Sequence, residues 1–503
     1  MLAPALLLLG SALAGRGLET DLPATGDYAA LELYTRLAAQ GRQFLGPYSR
    51  FGFHHPGPAY FYASVPLYVL SGERFAGILL TAALINVVSI TLVLRRLGRD
   101  GGMSALLAGA IVIAMFLSWR GPAWIFSAWN PNVAVLPFGV ALVSFAAVAA
   151  GNLGALPLAV LAASLAAQTH LGVLPAAVAV ALAALLLLVP PVRRATGLPP
   201  LGKVPTAPIL LALFLAAVLW TPPVLEQLRP DGGNLSHIVG FSSLPDERHS
   251  AGEAVVASGA AIVGWMVGAR DGVAAGLLVV LVMALAVAHG TGRVTRQAFP
   301  VALSLVTFAG IATAVLSATR VTGALLPYLL RWMAMLAVGA AGALAAGLAP
   351  LWRRRAEGWK RPRLAGSAGI LALALISGRN LALVRSVLQG PTPVATEESQ
   401  SAARLAEAID AGVATTSRRP LLEIAPHTDR DLVLGVLLAL DKTGTRFAVR
   451  PFGPFRLGGH WTPDGTEDAR IVVGHEDQDL AARPGVRLLG REAGLFAYLV
   501  PPV

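Results

Sequence analysis

An all-α polytopic membrane domain of about eleven helices, followed by a small extracytoplasmic α/β domain, is the architecture this sequence predicts. Three observations lead there. Apolar residues make up 55% of the 503-residue chain and charged residues only 13%, about half the charged share of an ordinary soluble protein. Apolar runs of span length recur as far as residue 381. From about residue 385 charges and turn residues return, and the apolar runs shorten to strand length.

A bilayer crossing takes about 20 apolar residues, and about 17 can suffice. Such runs lie near 1–15, 75–94, 103–119, 132–150, 154–170, 171–189, 206–222, 272–289, 299–317, 325–348 and 365–381. The first lacks a basic leader and ends in Ser11-Ala12-Leu13-Ala14-Gly15, so it reads either as a cleaved signal or as a truncated first helix. Two further apolar runs, 58–70 and 253–268, are ambiguous, and the basic residues decide how to treat them. Those residues cluster in short loops: Arg95, Arg96 and Arg99; Arg193, Arg194 and Lys203; Arg293 and Arg296; and Arg353 to Arg363. With both runs taken as interfacial or re-entrant helices, all four clusters fall in the cytoplasm. With both spanning, the first two would fall outside. The same parity puts 16–74, 120–131, 221–271 and everything after about 382 outside.

The formal charge of +11 does not indicate nucleic acid, because the basic residues sit in these loops and form no continuous basic face with aromatics. The absence of cysteine excludes disulfides, thiolate nucleophiles and Cys-ligated metals. Abundant Ala, Gly, Arg and Leu suit a bacterial source, and hence a bacterial plasma (inner) membrane protein. Residues 1–384 form the membrane domain in this reading and 385–503 the soluble one. In the latter, strands are expected at Leu421–Ala425, Phe447–Val449, Ile471–Val473, Val486–Leu489 and Phe496–Val500, with helices over 397–412 and 429–441. No phosphate-binding loop, dinucleotide fingerprint or fixed-period repeat is present.

Chemistry concentrates in the polar island from Arg16 to Pro58, within the first external loop, 16–74. Asp27 follows Thr25-Gly26 and precedes a helical pattern from Tyr28 to Gln40, so it reads as an N-cap or as a catalytic base. Glu32 and Arg36, spaced i,i+4, read as a helix-surface ion pair. Asp27 and Glu32 lie about 140° apart around a helix and form no carboxylate dyad. His54 and His55 precede Pro56-Gly57-Pro58. They serve either turn hydrogen bonding or the binding of phosphate, acceptor or metal.

An acidic residue early in the first external loop, then a helix, then a His-Pro-x-Pro-like motif resembles the GT-C superfamily of membrane glycosyltransferases. Within it, the dolichyl-phosphate-mannose and aminoarabinose transferases are the nearest in kind. The matching residues are Gly26-Asp27-Tyr28 and His54-His55-Pro56-Gly57-Pro58. Further echoes are Trp129-Asn130-Pro131-Asn132, Gln168-Thr169-His170 and Trp220-Thr221-Pro222-Pro223. The resemblance covers roughly residues 1–380. It departs at Tyr28, where an acidic pair is common in the superfamily, leaving Asp27 as the single candidate base.

The resemblance implies an inverting transferase that takes a sugar from a polyprenyl-phosphate donor and passes it to an extracytoplasmic glycan, lipid or protein. Asp27 would accept the acceptor's proton. Arg50, Arg320 and Arg331 would meet the leaving phosphate, for which guanidinium is the best geometric match. His54, His55 and His170 are further donor-binding candidates; Tyr28, Trp129, Asn130 and Glu226 are candidates for the acceptor or pocket. Arg331 has an alternative in snorkelling to the interface beside Tyr328 and Trp332. His170 has one as an interfacial histidine, and Glu226 one as a cap. The sequence leaves open whether a divalent cation is needed. Two other classes compete with the transferase: a transporter or flippase of lipid-linked saccharides, and a non-catalytic cell-envelope assembly protein. Few charges within the spans and no repeated halves argue against the transporter.

Overall fold

The structure, a computed structural model, describes residues 22–228, 233–243, 248–356, 374, 396–414, 419–453, 455 and 457–501. The spans expected over 1–15 and 365–381 lie outside them. The chain divides into two compact units, Met1–Thr81 with Asp231–Ile238 and Gly390–Val503, and Ala82–Pro230 with Val239–Gln389.

The first unit opens with α1 (Gly26–Ala39), which packs on α2 (Ala59–Leu70). Its start depends on Gly26, whose φ of +57° is the left-handed conformation that side chains disfavour. A Cβ there would also stand 3.0 Å from the Asp431 carboxyl carbon. In the segment after α1, backbone hydrogen bonds fold 46–55 into a tight hairpin. Gly46 and Ser49 N–H donate to His55 and Phe53 carbonyls, and His55 N–H donates to Pro47.

The second unit is the helical bundle. The 46-residue run α3 (Phe75–Arg120) is two helices joined at Gly102, where φ 81° and ψ −178° break the helix between the two expected spans. After it come α4 (Val135–Ala150), α5 (Leu156–Thr169), α6 (Leu174–Leu186) and α7 (Pro190–Thr196), with α7 bent 94° from the α6 segment. They are followed by α8 (Thr206–Gln227), α9 (Gly233–Ser243), α10 (Ala251–Ile262), α11 (Asp271–Val294), α12 (Ala298–Ala318) and α13 (Ala334–Ala356). The boundary between the units falls within α3 and again within α9.

Helix α4 is apolar all round and buried along nearly its whole length, as expected of a central helix. It contacts α5, α6, α12 and α13. Small residues permit those close crossings: a Cβ on Gly139 would reach Met335 and one on Gly339 would strike Thr307 and Leu142. Arg193, fully buried in α7, donates to the Ala149, Leu187 and Pro199 carbonyls and so ties together the ends of α4 and α6.

Among the described residues six helices are long and apolar enough to cross a membrane, or seven with the bent pair as one span. This falls short of eleven for identifiable reasons. Two expected spans are undescribed, two are counted together in α3, and α5 is too short to count alone. The ambiguous runs 58–70 and 253–268 form short apolar helices, α2 and α10. Helix α8 runs through Pro222 and Pro223 to Gln227, beyond the boundary the proline pair suggests.

The rest of the first unit is α/β. It contains α14 (Glu397–Val413), β1 (Pro420–Ile424), α15 (Arg430–Lys442), β2 (Ala448–Val449), β3 (Ala469–Gly474), β4 (Arg487–Glu492) and β5 (Leu495–Val500). All five expected strands and both expected helices are present within a few residues. The sheet order is β2-β1-β3-β5-β4, with β1 parallel to β2 and β3, and β5 antiparallel to β3 and β4. One face of α15 packs on α14 and on α1, and Gly435 allows Ala402 and Thr25 to approach closely.

Candidate functional site

In the first unit Asp27 lies in the first turn of α1, half-buried, and not at the cap: the cap is Thr25. Its carboxylate accepts a hydrogen bond from the Tyr48 hydroxyl at the head of the 46–55 hairpin. Tyr48 is fixed in turn by its ring, 4.2 Å centroid to centroid from Phe455. Tyr28, one residue on, packs its ring 5.2 Å from Phe75.

The histidine pair is built into the same hairpin. His54 is buried, its Nδ1 lies 3.0 Å from the Gly46 carbonyl, and its backbone exchanges two hydrogen bonds with the Asn234 amide at 2.8 and 2.7 Å. His55 is also buried, whereas Arg50 is exposed at the hairpin tip, over the Phe51 ring at 4.7 Å. The hairpin therefore pairs Tyr48 with His54, next to His55, and carries Arg50 at its exposed tip.

Glu32 and Arg36 are not the surface pair that their spacing suggests. Glu32 is fully buried and bonds Lys442 at 2.5 Å and the Tyr68 hydroxyl at 3.0 Å. Arg36 bonds Glu73 at 2.6 Å and the Asp441 carboxylate. Asp441 also accepts from His460 and from Trp461 Nε1, at 3.1 and 3.2 Å. Burial alone would push the Asp441 carboxyl up, but the His460 hydrogen bond and the Arg36 charge hold it below its ordinary value. Helix periodicity is blind to this, because the partners come from elsewhere in the chain: Tyr68 and Glu73 from α2 and the loop after it, Lys442 and Asp441 from α15.

In the second unit the three sequence motifs are joined by hydrogen bonds. Pro131 opens a single turn, Asn130–Val133, whose first amides donate to the Trp129 carbonyl. Asn130 Nδ2 donates 3.1 Å to the Thr169 carbonyl, next to His170. Gln168 donates 2.8 Å to the Leu219 carbonyl, and Trp220 donates 3.1 Å to Ser164. Asn132 gives its Nδ2 to Ser127 at 2.7 Å, which turns its Oδ1 toward Arg331, and the Arg331 guanidinium donates to that oxygen.

Arg331 also lies 5.8 Å from the Trp129 ring centre, and the Trp129 ring is 5.1 Å from that of Tyr328. Its charge acts on His170, which is buried at the end of α5. Arg120, at the end of α3, is near enough for its charge to act on Arg331. Sequence reading missed Arg120 and Tyr48, and it named Asn132 only as part of a motif. Arg120 could have been found from its position: it ends a span on the side where Arg331 begins one. Arg320 is exposed beyond α12 and is not part of this group. Glu226 is buried in the last turn of α8.

Among the described residues neither Arg331 nor Arg120 forms an ion pair with a carboxylate, and no three His, Asp or Glu side chains lie close enough to hold a metal ion. A cationic group whose protein partners are neutral can receive an anion such as phosphate.

No family model matches the sequence, and no curated protein does. Solved structures do. The crystal structure of ArnT from Cupriavidus metallidurans bound to undecaprenyl phosphate matches 99% of this chain and 97% of its own, with TM-score 0.58 and 13% identity. The same protein in its apo state matches with TM-score 0.56 and 15% identity, over 99% and 96% of the two chains. This chain has the fold of ArnT. The resemblance drawn from the loop motifs covered about 380 residues, and the likeness to ArnT extends it through the C-terminal sheet.

Proposed function

We propose that this protein is an integral-membrane GT-C glycosyltransferase that moves a sugar from a polyprenyl-phosphate donor to an extracytoplasmic glycan, lipid or protein. The observation that carries the reading is the end-to-end likeness to a protein crystallised with undecaprenyl phosphate. The pairing of Arg331 and Arg120 with no carboxylate supports it independently, because that is what a phosphate-bearing substrate needs.

In the reaction the acceptor oxygen bonds to the anomeric carbon as the bond from that carbon to the phosphate oxygen breaks. The electron pair leaves with the phosphate, and the sugar inverts. Asp27 takes the hydroxyl proton, and Tyr48 orients its carboxylate. Arg331 and Arg120 stabilise the charge that grows on the leaving phosphate, and Asn132 aims the Arg331 fork.

The test is sugar transfer by purified Asp27→Asn protein supplied with a polyprenyl-phosphate sugar. A general base contributes about 10²–10⁴-fold, so transfer should drop by at least a hundredfold while the protein stays folded. Undiminished transfer would sink the assignment of Asp27. Translocation of a lipid-linked saccharide by the wild type with no transfer would replace the enzyme with a flippase.

A further inference from the structure

The C-terminal sheet contains a second place for a ligand. Strands β1 and β3 are parallel neighbours, and the chain leaves their carboxyl ends in opposite directions. From β1 it goes through α15 to β2 on one side; from β3 it goes to β4 and β5 on the other. Divergence of this kind opens a crevice outside the strand ends, where open α/β sheets bind their ligands. A cleft of about 410 Å³ lies there, lined by Ala425 and Pro426 after β1 and by Gly474 to Leu480 after β3. That is within the usual range for ligand pockets, about 300–1,000 Å³.

Its chemistry is specific. Tyr498 and Val472 are directly paired on β5 and β3 and both line the cleft. Tyr498 is only 3% exposed, and its hydroxyl accepts the Asp477 N–H at a long 3.4 Å. The phenol proton has no protein acceptor among the described residues, so a ligand in the cleft can take it. Asp477 uses its own carboxylate to cap Leu480 N–H at 2.8 Å. His475 is braced across the cleft by a 3.1 Å contact with the His427 carbonyl. Glu476, Gln478 and Asp479 stand exposed on the rim. No Lys or Arg is among the lining residues, so an anion is unsuited.

We infer that this cleft binds one monosaccharide unit of an oligosaccharide. Sugar hydroxyls both donate and accept. They can therefore take the Tyr498 proton while giving their own to Glu476, Asp479 and the Gln478 carbonyl. Under the proposed function that unit belongs to the acceptor glycan, and to that extent the inference rests on it.

The experiment uses full-length protein in lipid nanodiscs, applied without donor to an array of oligosaccharides built from hexoses, pentoses and aminosugars. Wild type should be retained by at least one class. Tyr498→Phe should bind that class roughly tenfold more weakly, the loss of about one hydrogen bond. The rim variant Glu476→Gln with Asp479→Asn should weaken it further. Retention of no sugar by the wild type, equal retention by every variant, or retention that requires added calcium overturns the site. Transfer measured on the same preparations separates the two proposals. Wild type that transfers sugar but is retained nowhere loses this site and keeps the enzyme. Retention with undiminished transfer by Asp27→Asn does the reverse to the catalytic assignment.

Discussion

Glu32 and Arg331 are both ionisable groups held away from water, and the molecule treats them in opposite ways. Glu32 sits in a network of acids and bases from α1, α2, α15 and the loops beside them: Lys442 and Tyr68 on Glu32, Glu73 and Asp441 on Arg36, and His460 on Asp441. Arg331 gives a hydrogen bond to a neutral amide, faces an aromatic ring, and has a second cation, Arg120, for company. Desolvating a charge is costly, and an opposite charge within reach offsets that cost. Where the protein supplies the opposite charge, the group is structural. Where it supplies only one neutral amide and a second cation, as around Arg331, an anionic ligand can provide the offset. By this contrast we propose that Arg331 and Arg120 serve the substrate and that the α1 network serves the fold.

The contrast breaks first at Arg331. Arg331→Ala should lower kcat/KM for transfer by about 10²–10³-fold, the usual effect of removing a donor aimed at developing charge. Arg331→Lys should recover only a small part of it, because an ammonium cannot reproduce the bidentate fork. Thermal stability should stay level or rise, since a desolvated cation has been removed. A large loss of stability with normal transfer would assign Arg331 to the fold instead.

Glu32→Gln should behave in the opposite manner. It leaves Lys442 without its carboxylate, and breaking a buried pair by removing one partner costs about 3 kcal/mol. Denaturant or thermal unfolding of the purified protein should register that loss, with transfer per folded molecule nearly unchanged. Arg120→Met should fall between the two in kind and below both in size. One charge-assisted contact to phosphate is worth about 1.5 kcal/mol, so transfer should weaken roughly tenfold. An unaltered rate would remove Arg120 from the donor site.

How much of this was legible depends on the range of the interaction concerned. The β1–β5 strands and the α14 and α15 helices could be read to within a few residues, because alternation and helical period are local properties of the chain. The motifs Trp129-Asn130-Pro131-Asn132 and Gln168-Thr169-His170 could also be picked out locally, and the structure joins them through Asn130 and the Thr169 carbonyl. The Glu32–Arg36 pair was misread because i,i+4 spacing looks the same on a bare helix as on one covered by α15. Of the two readings of Asp27, cap or base, the first falls, since Thr25 occupies the cap two positions earlier and Gly26 takes a left-handed backbone between them. Tyr48 and Arg120 carried no local pattern. Each acquires a role only when a hairpin or a helix end brings it to its partner. The span count suffered from the Gly102 break, where apolar composition continues across a turn.

The smallest expected effect is the most discriminating, because it asks whether the network is purely structural. Asp441 is held below the ordinary carboxyl range by His460 and Arg36, against the opposing effect of its own burial. An unfolded Asp titrates near 3.9. Because the folded value is lower, the unfolded chain binds more protons between the two values. The stabilisation is therefore complete above about pH 4 and disappears as pH falls through the lower folded value. Wild type and Asp441→Asn should differ in melting temperature at about pH 5, where the carboxylate is ionised. The gap should then close as the solution is acidified below pH 4. His460→Ala should flatten part of that convergence, since it removes one of the two groups that depress Asp441 while leaving Arg36 in place. A gap that instead widens on acidification would mean that Asp441 is more easily protonated in the folded protein than in the unfolded chain. The network would then be a strained arrangement, and the contrast with Arg331 would no longer separate structural charge from substrate-binding charge.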